Sequence, residues 1–242
     1  ERGVSEQEIE KIWDNIDDEY FVRESTANIA WHTEAIAKSN GVDTLILVED
    51  PTDNFTAGAT QIFVYTLNRS RLFASSAAAI GKLGLNIQDA RIFTSSKNYC
   101  MNTYTVLEND GAPVQASAAR RREIVKILSE YIAEPTHYLR GPEKRIPRKL
   151  KHFSQHVEIE IINSDDKPYT TIEINCPDQP GVLASIGKVF AQHNIQLQNA
   201  RIATLGERVE DLFYVLNSDF HKITDPEQIE SLKSDLKQEL GR

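Results

Sequence analysis

Two hydrophobic periods divide the chain. Over the first 40 residues apolar side chains recur at helical spacing, as Ile9, Ile12, Trp13 and Ile16, and again as Ile29, His32 and Ile36 behind a Ser25 or Thr26 cap. Asn40-Gly41 marks the end of the second predicted helix. From Asp43 the period shortens to that of strands: residues 44–49 are β-rich, and over 60–66 Ile62, Val64 and Thr66 alternate with Gln61, Phe63 and Tyr65. A helix over 71–82 stops at Gly84, strands follow at 85–94 and 99–108, and a helix spans 117–133. Beyond a proline-containing stretch the same order returns: strands at 156–162 and 170–176, a helix at 182–192, strands at 195–204 and 210–217, and a helix at 226–240.

The second half repeats the first. Displacing the chain by 110 positions, so that Asn68 falls on Asp178, lays Leu72-Phe73-Ala74 on Val182-Leu183-Ala184 and Ala90-Arg91-Ile92 on Ala200-Arg201-Ile202. Gln88 then falls on Gln198 and Thr94 on Thr204. The predicted fold is α+β: two tandem ferredoxin-like units in ββαββα order, each a four-stranded antiparallel sheet with two helices on one face, preceded by a helical segment. Boundaries follow as a helical connector over 1–42, a first unit over 43–134, a linker over 135–154 and a second unit over 155–242. The open face of each sheet is left for another sheet or a partner. The stripes Phe73, Ala77, Ile80, Leu83 and Val182, Leu183, Ile186, Val189, Phe190 read as sheet-facing core.

Composition narrows the function classes. With 27 Lys+Arg against 36 Asp+Glu the formal charge is −9, which disfavours nucleic acid and anionic membrane as partners. The linker gathers Arg140, Lys144, Arg145, Arg148, Lys149 and Lys151 among prolines, but it has few aromatics for base stacking and reads as a solvated or bridging segment. No apolar run is long enough to span a bilayer, and Cys100 and Cys176 sit singly within strands, as free buried thiols of a reducing compartment. A soluble, cytoplasmic chain is expected. It begins at Glu1 and its only methionine is Met101, so it reads as part of a longer protein.

One stretch carries candidate chemistry: Asp178-Gln179-Pro180-Gly181-Val182-Leu183, at a strand-to-helix corner. Pro180 fixes one φ, Gly181 permits backbone angles that a Cβ opposes, and the helix start offers N–H groups to an anion such as a carboxylate. The first copy has Asn68-Arg69-Ser70-Arg71 there, without the proline or the glycine, although Asn68 and Asn86 keep hydrogen-bonding capacity. Other groups have plainer readings. His32 is a core or boundary histidine, and Arg91 and Arg201 are exposed sheet residues or inter-unit ion pairs rather than anion ligands. Glu207, Glu210 and Asp211 are a solvated turn and strand entry, and His152 and His156 lack a third metal ligand. No metal site or nucleophile–base pair emerges.

The DxPGxL corner between strand and helix of a small repeated unit resembles the ACT domain, a regulatory module that binds amino acids. Together with ANIAWH, ARIFT, PRKLKHF, ARIAT and GERVEDLFY, it makes the whole chain similar to the C-terminal part of the bacterial bifunctional uridylyltransferase and uridylyl-removing enzymes. The resemblance implies upstream nucleotidyltransferase and HD hydrolase domains acting on the PII nitrogen-regulatory protein, with magnesium needed only there, and a non-catalytic fragment without a cofactor here. It implies glutamine or another small amino acid as ligand, held by Asp178 on its ammonium, by the N–H groups around Gly181, Val182 and Leu183 on its carboxylate, and by Gln196 on its polar groups, with Gln179 also in the site. A weaker second site would use Asn68, Arg71 and Asn86. Homodimers through the sheets are also implied, and the alternative is an interaction module without a ligand of its own.

Overall fold

The computed structural model describes residues 4–39, 43–50, 59–69, 71–114, 117–134, 157–179, 181–205 and 208–241. The basic linker and Pro180 therefore lie outside the described residues. The opening segment forms three helices where the periodicity predicts two: α1 (Glu6–Trp13), α2 (Asp18–Arg23) and α3 (Thr26–Lys38). The extra break lies where Asp17 begins α2 as its N-cap, while Ser5 and Ser25 cap α1 and α3 by accepting from Glu8 and Asn28 N–H.

Next come β1 (Thr44–Glu49), β2 (Thr60–Leu67), α4 (Leu72–Lys82), β3 (Leu85–Thr94), β4 (Tyr99–Glu108) and α5 (Ala118–Ala133). The second half repeats this order as β5 (Glu158–Ile162), β6 (Thr170–Pro177), α6 (Val182–Gln192), β7 (Gln196–Leu205), β8 (Arg208–Leu216) and α7 (Pro226–Leu240). The halves do not hold separate sheets. All strands join one eight-stranded antiparallel sheet in the order β1-β2-β4-β3-β7-β8-β6-β5, closed across the middle by β3 and β7. The seam sets Ala90 opposite Ile202, Arg91 opposite Arg201 and Ile92 opposite Ala200, so equivalent positions of the repeat meet about a local two-fold axis.

One face of the sheet carries α4 to α7 over a single core that runs through both halves, with Ile62, Val64, Tyr104, Ile172, Phe213 and Leu236 almost wholly buried. The helices α4 and α6 cross at Gly187, where a Cβ would stand 2.8 Å from the Cα of Ala74. Only glycine admits that approach. Phe73 of α4 reaches the Phe213 ring of the other half, 6.0 Å away and edge-on, so the packing is interlocked across the seam.

The expectation of an open second face in each half is corrected for the first. Phe63, Phe93 and Met101, the alternate residues of β2, β3 and β4, form a second core with Tyr20 and Ile36 of the opening helices, flanked by Trp31, Leu45 and Leu47. Strands buried on both faces need apolar residues at both parities, which is why Phe63 and Tyr65 break the polar alternation of β2. His32 lies in this layer, its ring stacked 3.6 Å from that of Phe63 and its Nδ1 2.6 Å from the Tyr20 hydroxyl. Burial first, and the Arg91 charge second, hold its pKa down to about 3, so the ring is neutral. On the corresponding face of the second half Arg23 of α2 lies over the Tyr214 ring beside the seam, while Glu158, Glu160 and Ile162 of the outer strand are exposed.

Candidate functional site

The two strand-to-helix corners are superposable in kind. Gly181 precedes α6 at φ 84° and Arg71 precedes α4 at φ 70°, both in the left-handed region, and neither helix start has a side-chain cap. In each, the first helical N–H folds back on the corner: Val182 on the Gln179 carbonyl and Leu72 on the Arg69 carbonyl, both at 3.2 Å. An arginine thus holds the geometry that glycine adopts without strain, at a cost of about 1 kcal/mol. The corner backbone survives in the first half although its Pro and Gly do not.

Each corner faces the other half of the molecule. Because β3 and β7 run antiparallel, the start of each lies beside the end of the other, which is where the other's corner stands. Asp178, Gln179, Gly181, Val182 and Leu183 therefore share a hollow with Asn86, whose side chain hydrogen-bonds Asp178. Asn68, Arg71 and Leu72 share theirs with Gln196 and Asn102. The sequence grouped Gln196 with Asp178 and Asn86 with Asn68; the fold groups them crosswise. No periodicity in one unit reveals this, since it follows from the seam.

Side chains at the second corner differ in their freedom. Burial raises the Asp178 pKa while the Asn86 hydrogen bond works to lower it. Gln179 is buried, and its Nε2 donates to the Leu240 carbonyl at 3.3 Å, so its amide is engaged in holding the end of α7. The hollows themselves are narrow, about 20 Å³ at the second corner and about 30 Å³ at the first, room for a water molecule or two. An amino acid enters either one only if the corner and its partner across the seam part. Among the described residues no group of three or more potential ligands is placed to hold a metal ion, and no helix is long and apolar enough to cross a membrane.

Comparison with known proteins follows the same division. The ACT domain family matches residues 170–241, and a family described as the uridylyltransferase GlnD fifth domain matches residues 1–35. Over nearly its whole length the chain is similar to bifunctional uridylyltransferase/uridylyl-removing enzymes: 38% identical over 98% of this chain and 27% of the protein from Pseudomonas putida (strain GB-1), and 39% identical over the same shares of that from Pseudomonas entomophila (strain L48). That of Ectopseudomonas mendocina (strain ymp) is 40% identical over 93% of this chain and 25% of its own length. The chain is thus similar, over nearly all of its own length, to a region spanning about a quarter of the length of these relatives.

Proposed function

We propose that this chain is the amino-acid-sensing regulatory region of a bifunctional enzyme that uridylylates and deuridylylates the PII protein, with glutamine as ligand. It consists on this reading of two ACT units in ββαββα order, the first supported by the repeat. Catalysis belongs to domains of the parent enzyme outside this chain, and α1 to α3 link them to the sheet.

The observation that carries the reading is the crosswise corner: Asp178 and Gly181 from one half, Asn86 from the other, around an uncapped helix start. Asp178 takes the ligand ammonium, the N–H groups beginning α6 take the carboxylate, and Asn86 takes the side-chain amide. The ligand replaces the Asp178–Asn86 hydrogen bond with its own contacts. Because the hollow is closed without it, binding moves α4 and α6 relative to each other, and a ligand with better contacts in one arrangement shifts the population toward it. Gln196 with Asn68 and Arg71 forms the corresponding weaker site.

Calorimetric titration with glutamine, glutamate and other amino acids tests this. Glutamine is expected to bind, and Gly181→Glu to weaken binding at the second corner roughly hundredfold. A second reading, a protein-docking module, draws on the outer strands of the second half, where Glu160 and Glu173 stand directly opposite on β5 and β6. Like charges so placed oppose each other and suit a basic partner. Folded protein that takes up no amino acid would favour that reading.

A further inference from the structure

A cavity larger than either corner hollow lies on the other side of the sheet from the corners. About 400 Å³ is enclosed between the seam and the turn from α2 to α3, against about 20 and 30 Å³ at the corners. That is the size of a small-molecule site. Its floor comes from both halves, Phe93 and Met101 on one side and Leu212 and Tyr214 on the other, and Tyr20 and Arg23 roof it.

The charges in it are unequally matched. The seam sets Arg91 directly opposite Arg201, a like-charge pair that costs sheet stability. Arg91 is neutralised: its Nη1 lies 2.9 Å from the Glu24 carboxylate and its Nε 3.5 Å from that of Asp89. Arg23 pairs with Glu19 at 2.7 Å and lies over the Tyr214 ring. Arg201 makes no hydrogen bond or ion pair among the described residues and feels Asp89 only through its field. Two positions before it on β7, and so on the same side of the strand, Asn199 is 6% exposed and its Nδ2 has no acceptor. Two unengaged donors, one cationic, therefore share a wall of a chamber whose remaining lining mixes apolar and aromatic side chains with the paired charges of Arg23, Glu24, Asp89 and Arg91.

We propose that this chamber binds a small organic anion, a carboxylate or phosphate ester on a flat apolar body. The anionic group accepts from the Arg201 guanidinium and the Asn199 amide, and the body lies on Tyr214 and Leu212. Glu24 and Asp89 at the far side repel a second negative charge, so the ligand is charged at one end only. It touches α2 and both halves at once, which makes it an effector site that fixes the opening helices against the seam, separate from the amino-acid corners.

The test is calorimetric titration of the chain with benzoate, phenyl phosphate and inorganic phosphate, in the presence of excess glutamine. At least one aromatic anion is expected to bind once per chain, the better of the two naming the head group, and inorganic phosphate at least about tenfold more weakly because it leaves the apolar floor unused. Arg201→Gln is expected to weaken binding about tenfold or more and Asn199→Ala about threefold or more, with Arg201→Lys retaining part of it. Arg201 is exposed, so its replacement is expected to leave the core intact, read as a melting temperature no lower than that of the native chain. Absence of binding by both aromatic anions, inorganic phosphate binding as tightly as phenyl phosphate, or unchanged affinity in Arg201→Gln would each overturn the proposal.

Discussion

Arg71 and Gly181 hold one backbone position in two copies, at φ 70° and 84°, and the helix that follows starts at the next residue in both. What surrounds them differs. The second corner offers Asp178 against Asn86, and the outer strand of its own sheet is exposed; the first offers Asn68 against Gln196, and its sheet face is sealed by the opening helices. The comparison separates two controls. Packing of the repeat and its seam sets the corner geometry, strongly enough to hold an arginine in a left-handed conformation, while the side chains decide which corner has ligand chemistry.

The largest effect is expected where glycine is needed for both shape and ligand. Gly181→Glu places a carboxylate against the ligand's own and is expected to weaken glutamine binding at that corner roughly hundredfold, a like-charge penalty of several kcal/mol. The matching Arg71→Glu change, measured in the same titration, should alter total uptake far less; equal losses would erase the distinction between the corners.

The seam comes next. Gly187→Leu drives a side chain into Ala74, where even a Cβ is 2.8 Å from the Cα. It is expected to lower stability by about 1–3 kcal/mol in chemical denaturation and to disturb both corners together. An effect confined to one corner would show that the halves are less interlocked than the packing implies.

The sealed face gives the first half a pH dependence through His32. Folded His32 stays neutral down to about 3, whereas the unfolded chain takes up a proton near 6.5, so stability is full above that value and declines as pH falls below it. The slope approaches about 1.4 kcal/mol per pH unit. His32→Gln is expected to flatten the slope just below 6.5, above the range of carboxylate titration; an unchanged slope would assign it elsewhere. The smallest effect is Arg71→Gly, which relieves the left-handed strain and should stabilise the protein by roughly 0.5–1 kcal/mol, read as a rise in melting temperature.

Much of this architecture is legible in the residues. Alternation and helical stripes place the strands and the helices to within a residue or two, and Asp178-to-Leu183 stands out as a corner with an open helix start. What remains hidden depends on contacts between segments far apart in sequence. Phe63 and Tyr65 look like irregular alternation until the opening helices cover them, and α2 starts after Asp17 without a side-chain cap hydrogen bond to mark it. Arg91 and Arg201, read singly, are exposed sheet residues; only the register of β3 against β7 brings them face to face. For the same reason the partners of each corner, Asn86 and Gln196, are exchanged between the halves.

That exchange is the centre of the account, and one titration meets it directly. Glutamine is titrated into the native chain and into Asn86→Ala, which alters only the first half. Heat of binding in the native chain and a loss of about tenfold in affinity at the stronger site of the variant is the expected result. No uptake by the native chain, or undiminished affinity at the stronger site in Asn86→Ala, would contradict a site shared across the seam.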